Sequence, residues 1–232
     1  MKVVILCGGK GTRMGDATKE MPKPLAKIGD KPVLWHIMKI FSSHGFNDFI
    51  LCLGFKGEMI KEYFEKNKED WNIEFADTGL ESTKSERLNQ VKDLIDGENF
   101  FLAYGDDVSD VDISRLLKFH EYMGMTVTIT GVKLKSQFGV VEMDEENVIT
   151  EFKEKPILEH WMNGGFMVIN KEIFKHLHEG ELENEVFAKL AELKKICAYK
   201  HKGAWKAMST LKDNNELNEM WRAGKAFWNT WE

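Results

Sequence analysis

Apolar positions in the first half of the chain fall into short solid runs separated by longer amphipathic stretches. Val3–Leu6, Phe49–Leu53 and Phe100–Tyr104 are continuous apolar runs of strand length, the pattern of strands buried on both faces. Ile73–Ala76 fits a further strand. Between them, Val33–Phe41, Met59–Phe64, Leu88–Ile95 and Ile113–Tyr122 carry apolar residues at helical spacing. Pro32 stands where a helix's first turn accepts it. Strands alternating with helices over residues 1–123 predict a mostly parallel, doubly wound sheet.

The rhythm then changes. Thr126–Leu134, Gly139–Met143, Val148–Phe152 and Phe166–Ile169 read as strands, the last entered through Gly164-Gly165. Long helices are absent from 124 to 170, so hairpins are expected to extend the sheet. Helices are predicted at Lys171–His178, Glu181–Lys194 and Thr210–Trp221, with a strand near Ile196–Tyr199. No Pro/Ser/Gly-rich linker or internal repeat interrupts the chain, so 1–232 reads as a single domain.

Composition narrows the function. The chain of 232 residues carries 38 acidic and 32 basic side chains, a net charge of −6, the wrong sign for a general nucleic-acid binder. Any bound polyanion must be met by a few locally placed cations. Cys7, Cys52 and Cys197 form no CxxC pair, which argues against a zinc ribbon or a disulfide framework. The opening apolar run is too short for a signal peptide and leads straight into a glycine loop. No apolar stretch approaches the ~18 residues of a membrane span. Cytoplasmic location and no membrane partner are the resulting expectations.

Four segments carry candidate chemistry. Gly8-Gly9-Lys10-Gly11-Thr12-Arg13 follows a predicted strand, where backbone N–H groups can face a phosphate. It matches neither the Walker A spacing nor the dinucleotide fingerprint. A ligand-free turn is the alternative, but Lys10 and Arg13 in so tight a loop call for an anion or solvent. Pro22-Lys23-Pro24 holds an ammonium in what should be an extended, rigid segment. Asp106 and Asp107 end a central strand, where open α/β sheets bind ligands and where one or two carboxylates can hold Mg²⁺; an Asx turn or helix cap is the alternative. Glu154-Lys155-Pro156 and Asn163-Gly164-Gly165 supply another restrained cation and a place for close backbone approach. His176 and His178 read as solvated. Trp205, Trp221, Trp228 and Trp231 could form a nucleotide platform, with core or interface packing the simpler reading.

Taken in order, these segments resemble the sugar-phosphate nucleotidyltransferase family, whose pattern runs GGxGTR, PKP, GD, EKP, NGG. Leu34-Trp35-His36, Gly54-Phe55-Lys56-Gly57, Asp77-Thr78-Gly79 and the ending Gly224–Glu232 extend the likeness along nearly the whole chain, toward the cytidylyl branch. The resemblance implies a Rossmann-like α/β fold: a mixed, mostly parallel central sheet flanked by helices, with a hairpin extension. Residues 1–123 would form the nucleotide-binding half, and 124–232 the acceptor-binding and oligomerisation half of a homo-oligomer.

It also implies transfer of CMP from CTP to a phosphorylated small molecule, with release of pyrophosphate. The acceptor would be a sugar 1-phosphate, or a non-sugar phosphate such as a phospho-amino acid. A non-catalytic, nucleotide-sensing subunit on the same fold is the other reading. By resemblance, Gly8, Gly9, Lys10, Gly11, Thr12 and Arg13 wrap the phosphates, with Arg13 and Lys23 catalytic. Arg87 joins the nucleotide site, and Asp106 holds Mg²⁺. Glu154, Lys155, Asn163 and Ser209 face the acceptor. Two segments depart from the family: its MDTL stands here as Met208-Ser209-Thr210-Leu211, and its TGGRL as Thr83-Lys84-Ser85-Glu86-Arg87-Leu88. The stretch before Asp77-Thr78-Gly79 is also short for the family.

Overall fold

The structure, a computed structural model, describes residues 1–11 and 20–231, apart from the side chain of Glu179. In chain order its strands are β1 (Val3–Leu6), β2 (Lys27–Ile28), β3 (Lys31–Pro32), β4 (Asp48–Leu53), β5 (Asn72–Asp77), β6 (Asn99–Tyr104), β7 (Asp107–Ser109), β8 (Val127–Val132), β9 (Val140–Met143), β10 (Ile149–Lys153), β11 (Met162–Asn170), β12 (Ile196–Lys200) and β13 (Trp205–Ala207). The α-helices are α1 (Val33–Ser42), α2 (Gly57–Lys66), α3 (Lys84–Gln90), α4 (Ile113–Met123), α5 (Ala188–Glu192) and α6 (Leu211–Arg222).

Seven strands form one sheet in the order β12-β8-β11-β6-β1-β4-β5. The solid apolar runs sit at its centre: β1 pairs in parallel with both β4 and β6. β4 pairs in parallel with β5, and β12 with β8, while β11 runs antiparallel between β6 and β8. The sheet thus draws on both halves of the chain and is mixed but mostly parallel. Side chains alternate across it as strand geometry requires. Phe101 and Ala103 of β6 face a core with Phe41, Phe166 and Trp228, whereas Phe100 and Leu102 face Leu88, Met167 and Leu182. Burial pushes the Cys7 thiol well up and that of Cys52 up to about 12, so both behave as small core hydrophobes.

Local signals set the helix ends. Thr83 and Glu86 form a capping box that starts α3 ahead of the apolar periodicity, and Leu88–Ile95 ends in a 3₁₀ turn, Lys92–Leu94. Thr210 and Asp213 cap α6 in the same way, and Gly124 closes α4 at φ 59°.

Two expectations change, and one is met in its simpler form. β9 and β10 do not extend the main sheet; they pair with each other in an exposed arm. The stem of the arm is satisfied separately, by Ser136 N–H to Pro156 O at 2.8 Å and Leu158 N–H to Leu134 O at 2.8 Å. The stretch read as two helices over 171–194 is a pair of 3₁₀ turns, a π-helical turn (Leu182–Phe187) and the short α5. The C-terminal tail packs on its own chain. Trp228 is fully buried and its indole N–H donates to His36 Nδ1 at 3.3 Å, while Trp231 meets Trp35 edge-on. Trp228 is core and the partly buried Trp231 packs against it, so the tail folds back across its own domain. Among the described residues no helix is long and apolar enough to cross a membrane.

Candidate active site

Strand order reverses at β1, which lies between β4 and β6, and ligands in such sheets bind at the carboxyl ends of the strands beside that point. A cavity of about 710 Å³ opens there. The loop from Cys7 to Gly11 forms its floor, and the segment from Leu80 to Lys84 forms one wall. Lys23, Asp106, Asn163 and Ser209 also line it. Because β11 is antiparallel, its beginning, with Asn163, reaches the same rim as the ends of β1 and β6.

Lys23 is not on an extended segment. Pro22 is extended, but Lys23–Leu25 makes a 3₁₀ turn that buries Lys23 to 8% exposure. Its ammonium bonds the Asp106 carboxylate, across a sequence separation of 83 residues. The cation of the PKP segment and the carboxylate of the GD segment are therefore one ion pair facing the cavity. Lys10, at the loop, pairs with Glu81 of the opposite wall at 2.6 Å. Thr12 and Arg13 lie outside the described residues.

The glycines serve different ends. A Cβ on Gly8 would fall 2.3 Å from an Arg87 nitrogen, so Gly8 makes room for that side chain, whereas Gly9 has open space at its Cβ position. Arg87 is buried and spends its guanidinium on four backbone carbonyls and one hydroxyl. Nη1 donates to Leu53 O at 3.0 Å, Thr78 Oγ1 at 2.7 Å and Gly79 O at 2.7 Å; Nη2 donates to Leu80 O at 3.1 Å and Gly8 O at 3.4 Å. It ties together the loops after β1, β4 and β5. Expected as a nucleotide contact, it sits at the cavity wall as the strut of that wall.

The acceptor candidates divide. Asn163 and Ser209 line the cavity. Glu154 and Lys155 stand on the exposed arm, with side chains 63% and 53% exposed, apart from the cavity lining. Asp107 is buried beside Gly165, where a Cβ would lie 2.2 Å from the carboxylate; that glycine, at φ 78°, has no side chain to clash. β11 carries a register shift here, between Asn163 and Met167, as strands often do beside a site. Trp205 also faces the cavity, with its indole N–H on Gly164 O at 2.7 Å.

A family model described as nucleotidyl transferase matches residues 2–229. The chain belongs to the nucleotidyl transferase family. Over the whole length of both chains it is 40% identical to a protein of Bacillus subtilis (strain 168) named probable glucose-1-phosphate cytidylyltransferase. It is 38% identical, again over both full lengths, to glucose-1-phosphate cytidylyltransferase of Salmonella typhi. The alignment with the Bacillus relative runs to 255 positions, so this nucleotidyl transferase carries gaps relative to it. In fold, it is similar to a putative glucose-1-phosphate thymidylyltransferase of Bacillus anthracis, solved in complex with a sucrose. The TM-score is 0.75 at 18% identity, with 98% of each chain covered.

One contact beside this nucleotidyl transferase's site has no signal in the sequence. Tyr104 lines the cavity and its hydroxyl donates to Glu183, 79 residues away in sequence. Tyr104 stands in the strand-end motif with Asp106 but carries no role there, and Glu183 sits in a Glu-rich stretch where nothing local distinguishes it.

Proposed function

We propose that the chain transfers CMP from CTP to a sugar 1-phosphate and releases pyrophosphate. The observation that carries this reading is the Lys23–Asp106 pair at the switch point of the sheet, between an open glycine loop and the Asn163 rim. The full-length likeness to proteins named glucose-1-phosphate cytidylyltransferase supports the choice of CTP and of a sugar phosphate.

In-line attack by the acceptor's phosphate oxygen on the α-phosphorus needs no covalent intermediate, so positioning and charge neutralisation supply the catalysis. The open backbone at Gly9 lets the triphosphate approach the loop closely. Lys23 is a buried ammonium on a short rigid turn, and a nucleotide's α-phosphate competes with Asp106 for it. Its fixed charge meets the negative charge that develops in transfer. Asn163 and Ser209 offer uncharged polar groups on the acceptor side.

The family's divalent metal fits what is present. Mg²⁺ needs only one or two carboxylates when phosphates supply further oxygens. Asp106 is a cavity-facing carboxylate at a strand end, one quarter exposed. Among the described residues there is no cluster of three or more His, Cys, Asp or Glu that would form an all-protein cage. Asp106 would hold the ion and Ser209 would add at most a neutral hydroxyl. When bound, Mg²⁺ neutralises phosphate charge.

The test is pyrophosphate release with Mg²⁺ across CTP, UTP, dTTP and GTP, against glucose 1-phosphate, other sugar 1-phosphates and non-sugar phosphates. CTP with a sugar 1-phosphate should give the highest kcat/KM. CTP binding without turnover on any acceptor would overturn the enzymatic reading in favour of a nucleotide-sensing role. A better non-sugar phosphate would overturn the acceptor assignment alone.

A further inference from the structure

The side chain of Asn163 is held from two directions. Its Oδ1 accepts the Gly165 N–H at 3.0 Å, and its Nδ2 lies 3.4 Å from the Tyr104 hydroxyl. The hydroxyl's single hydrogen is committed to Glu183. A carboxylate only accepts, so Tyr104 must donate to it and turn a lone pair toward Asn163. Both constraints orient the amide the same way, with NH₂ toward the phenol and its second N–H left for the cavity. Burial, and then the Glu183 charge, push the Tyr104 hydroxyl far above its ordinary range, so it keeps the proton it donates.

Glu183 is itself fixed. It belongs to the π-helical turn Leu182–Phe187, a geometry that often marks functional sites. Lys84 reaches it at 2.5 Å from the opposite wall and lies 4.8 Å from the centre of the Tyr104 ring. Lys84 is one of the residues that depart from the family's TGGRL pattern.

We propose that Tyr104 and Glu183 are positioning residues: the chain Glu183–Tyr104–Asn163 locks the Asn163 amide as a donor aimed at the acceptor. This rests on the transfer reading above. No atom of Glu183 need touch the acceptor; its effect passes through the direction of one hydrogen bond. The proposal makes acceptor binding, and not nucleotide binding, depend on the Tyr104 hydroxyl.

The experiment is a double-mutant cycle on the full chain, read as separate KM values for CTP and acceptor. Tyr104→Phe keeps the ring and removes only the hydroxyl. It should raise the acceptor KM about tenfold, the scale of one hydrogen bond, with the CTP KM within about twofold. Asn163→Ala should raise the acceptor KM at least as far. The double variant should be no worse than Asn163→Ala alone, because Tyr104 acts through that side chain. Glu183→Ala should behave like Tyr104→Phe, and Glu183→Gln, whose amide oxygen can still accept, should recover part of the loss. An acceptor KM unmoved by Tyr104→Phe, losses that add across the cycle, or CTP and acceptor KM rising together would each overturn the proposal. Wild type without turnover on CTP would overturn the transfer reading first, and this one with it.

Discussion

Replacing Arg87 by Met separates a strut from a ligand contact. Methionine keeps much of the length and apolar stem but removes every donor. Of the five oxygens Arg87 reaches, two keep other partners: Leu53 O still receives Thr78 N–H at 3.0 Å, and Gly8 O still receives Phe55 N–H at 3.0 Å. Thr78 Oγ1 keeps its own donation to Leu53 O. Gly79 O and Leu80 O lose the guanidinium, and a hydrogen bond to a charged donor contributes about 1.5–3 kcal/mol. Both carbonyls lie on a loop that water can reach, so the expected loss is about 2–4 kcal/mol. For a domain of this size that lowers Tm by roughly 5–15 °C. Urea and thermal unfolding of the apo protein measure it without substrate. Arg87→Lys should recover less than half, since one ammonium cannot span carbonyls on three loops. A Tm within about 2 °C of wild type, with a raised KM for CTP, would refute the strut and restore Arg87 to the nucleotide.

Other outcomes follow from single contacts. Lys23→Met should lower kcat by about 10²-fold. It should also destabilise the fold by about 1–3 kcal/mol, because Asp106 is left in a mostly buried site without its cation; unchanged kcat would remove Lys23 from the chemistry. Trp228→Ala should cost about 3–5 kcal/mol in urea unfolding, as expected for a fully buried indole, and a loss under about 1 kcal/mol would mean the tail is not core. His36 accepts from Trp228 at Nδ1 and contacts Ile28 O through Nε2 at 2.9 Å, so its ring is neutral with the hydrogen on Nε2. Burial lowers its pKa from 6.5 to about 4. A depressed folded pKa means the stabilisation is complete above pH 6.5 and lost as pH falls toward 4, by at most about 3 kcal/mol. The slope of Tm against pH between 6.5 and 4.5 should flatten in His36→Gln; equal slopes would contradict the assignment.

The central strands were legible because β1, β4 and β6 are buried on both faces and leave no polar position to confuse the pattern. The arm was legible as strands but not as a separate ribbon, because strand periodicity says nothing about which edge a hairpin joins. Over 182–192 the apolar residues repeat at helical spacing, and that period does not distinguish a π turn from an α-helix. In the site, Lys23 and Asp106 announced themselves through proline and glycine neighbours, but their union across 83 residues is a product of topology. Arg87 was found and its partners were not: carbonyl acceptors have no side-chain signature. Glu154 and Lys155 looked like site residues by motif, and the fold carries them out along the arm.

The reversed direction of β11 separates the exposed arm from the glycine loop. The stretch from 133 to 161 leaves the sheet at the end of β8 and returns at the start of β11, which are paired neighbours at the same rim. The glycine loop hangs from β1, with β6 standing between. Residues can therefore be inserted, deleted or exchanged along that excursion while both of its attachment points, and the glycine loop, stay in register. The scaffold behaves as a socket with an interchangeable attachment: one end that keeps the glycine loop in register, and one excursion whose length and composition can be re-cut without disturbing it.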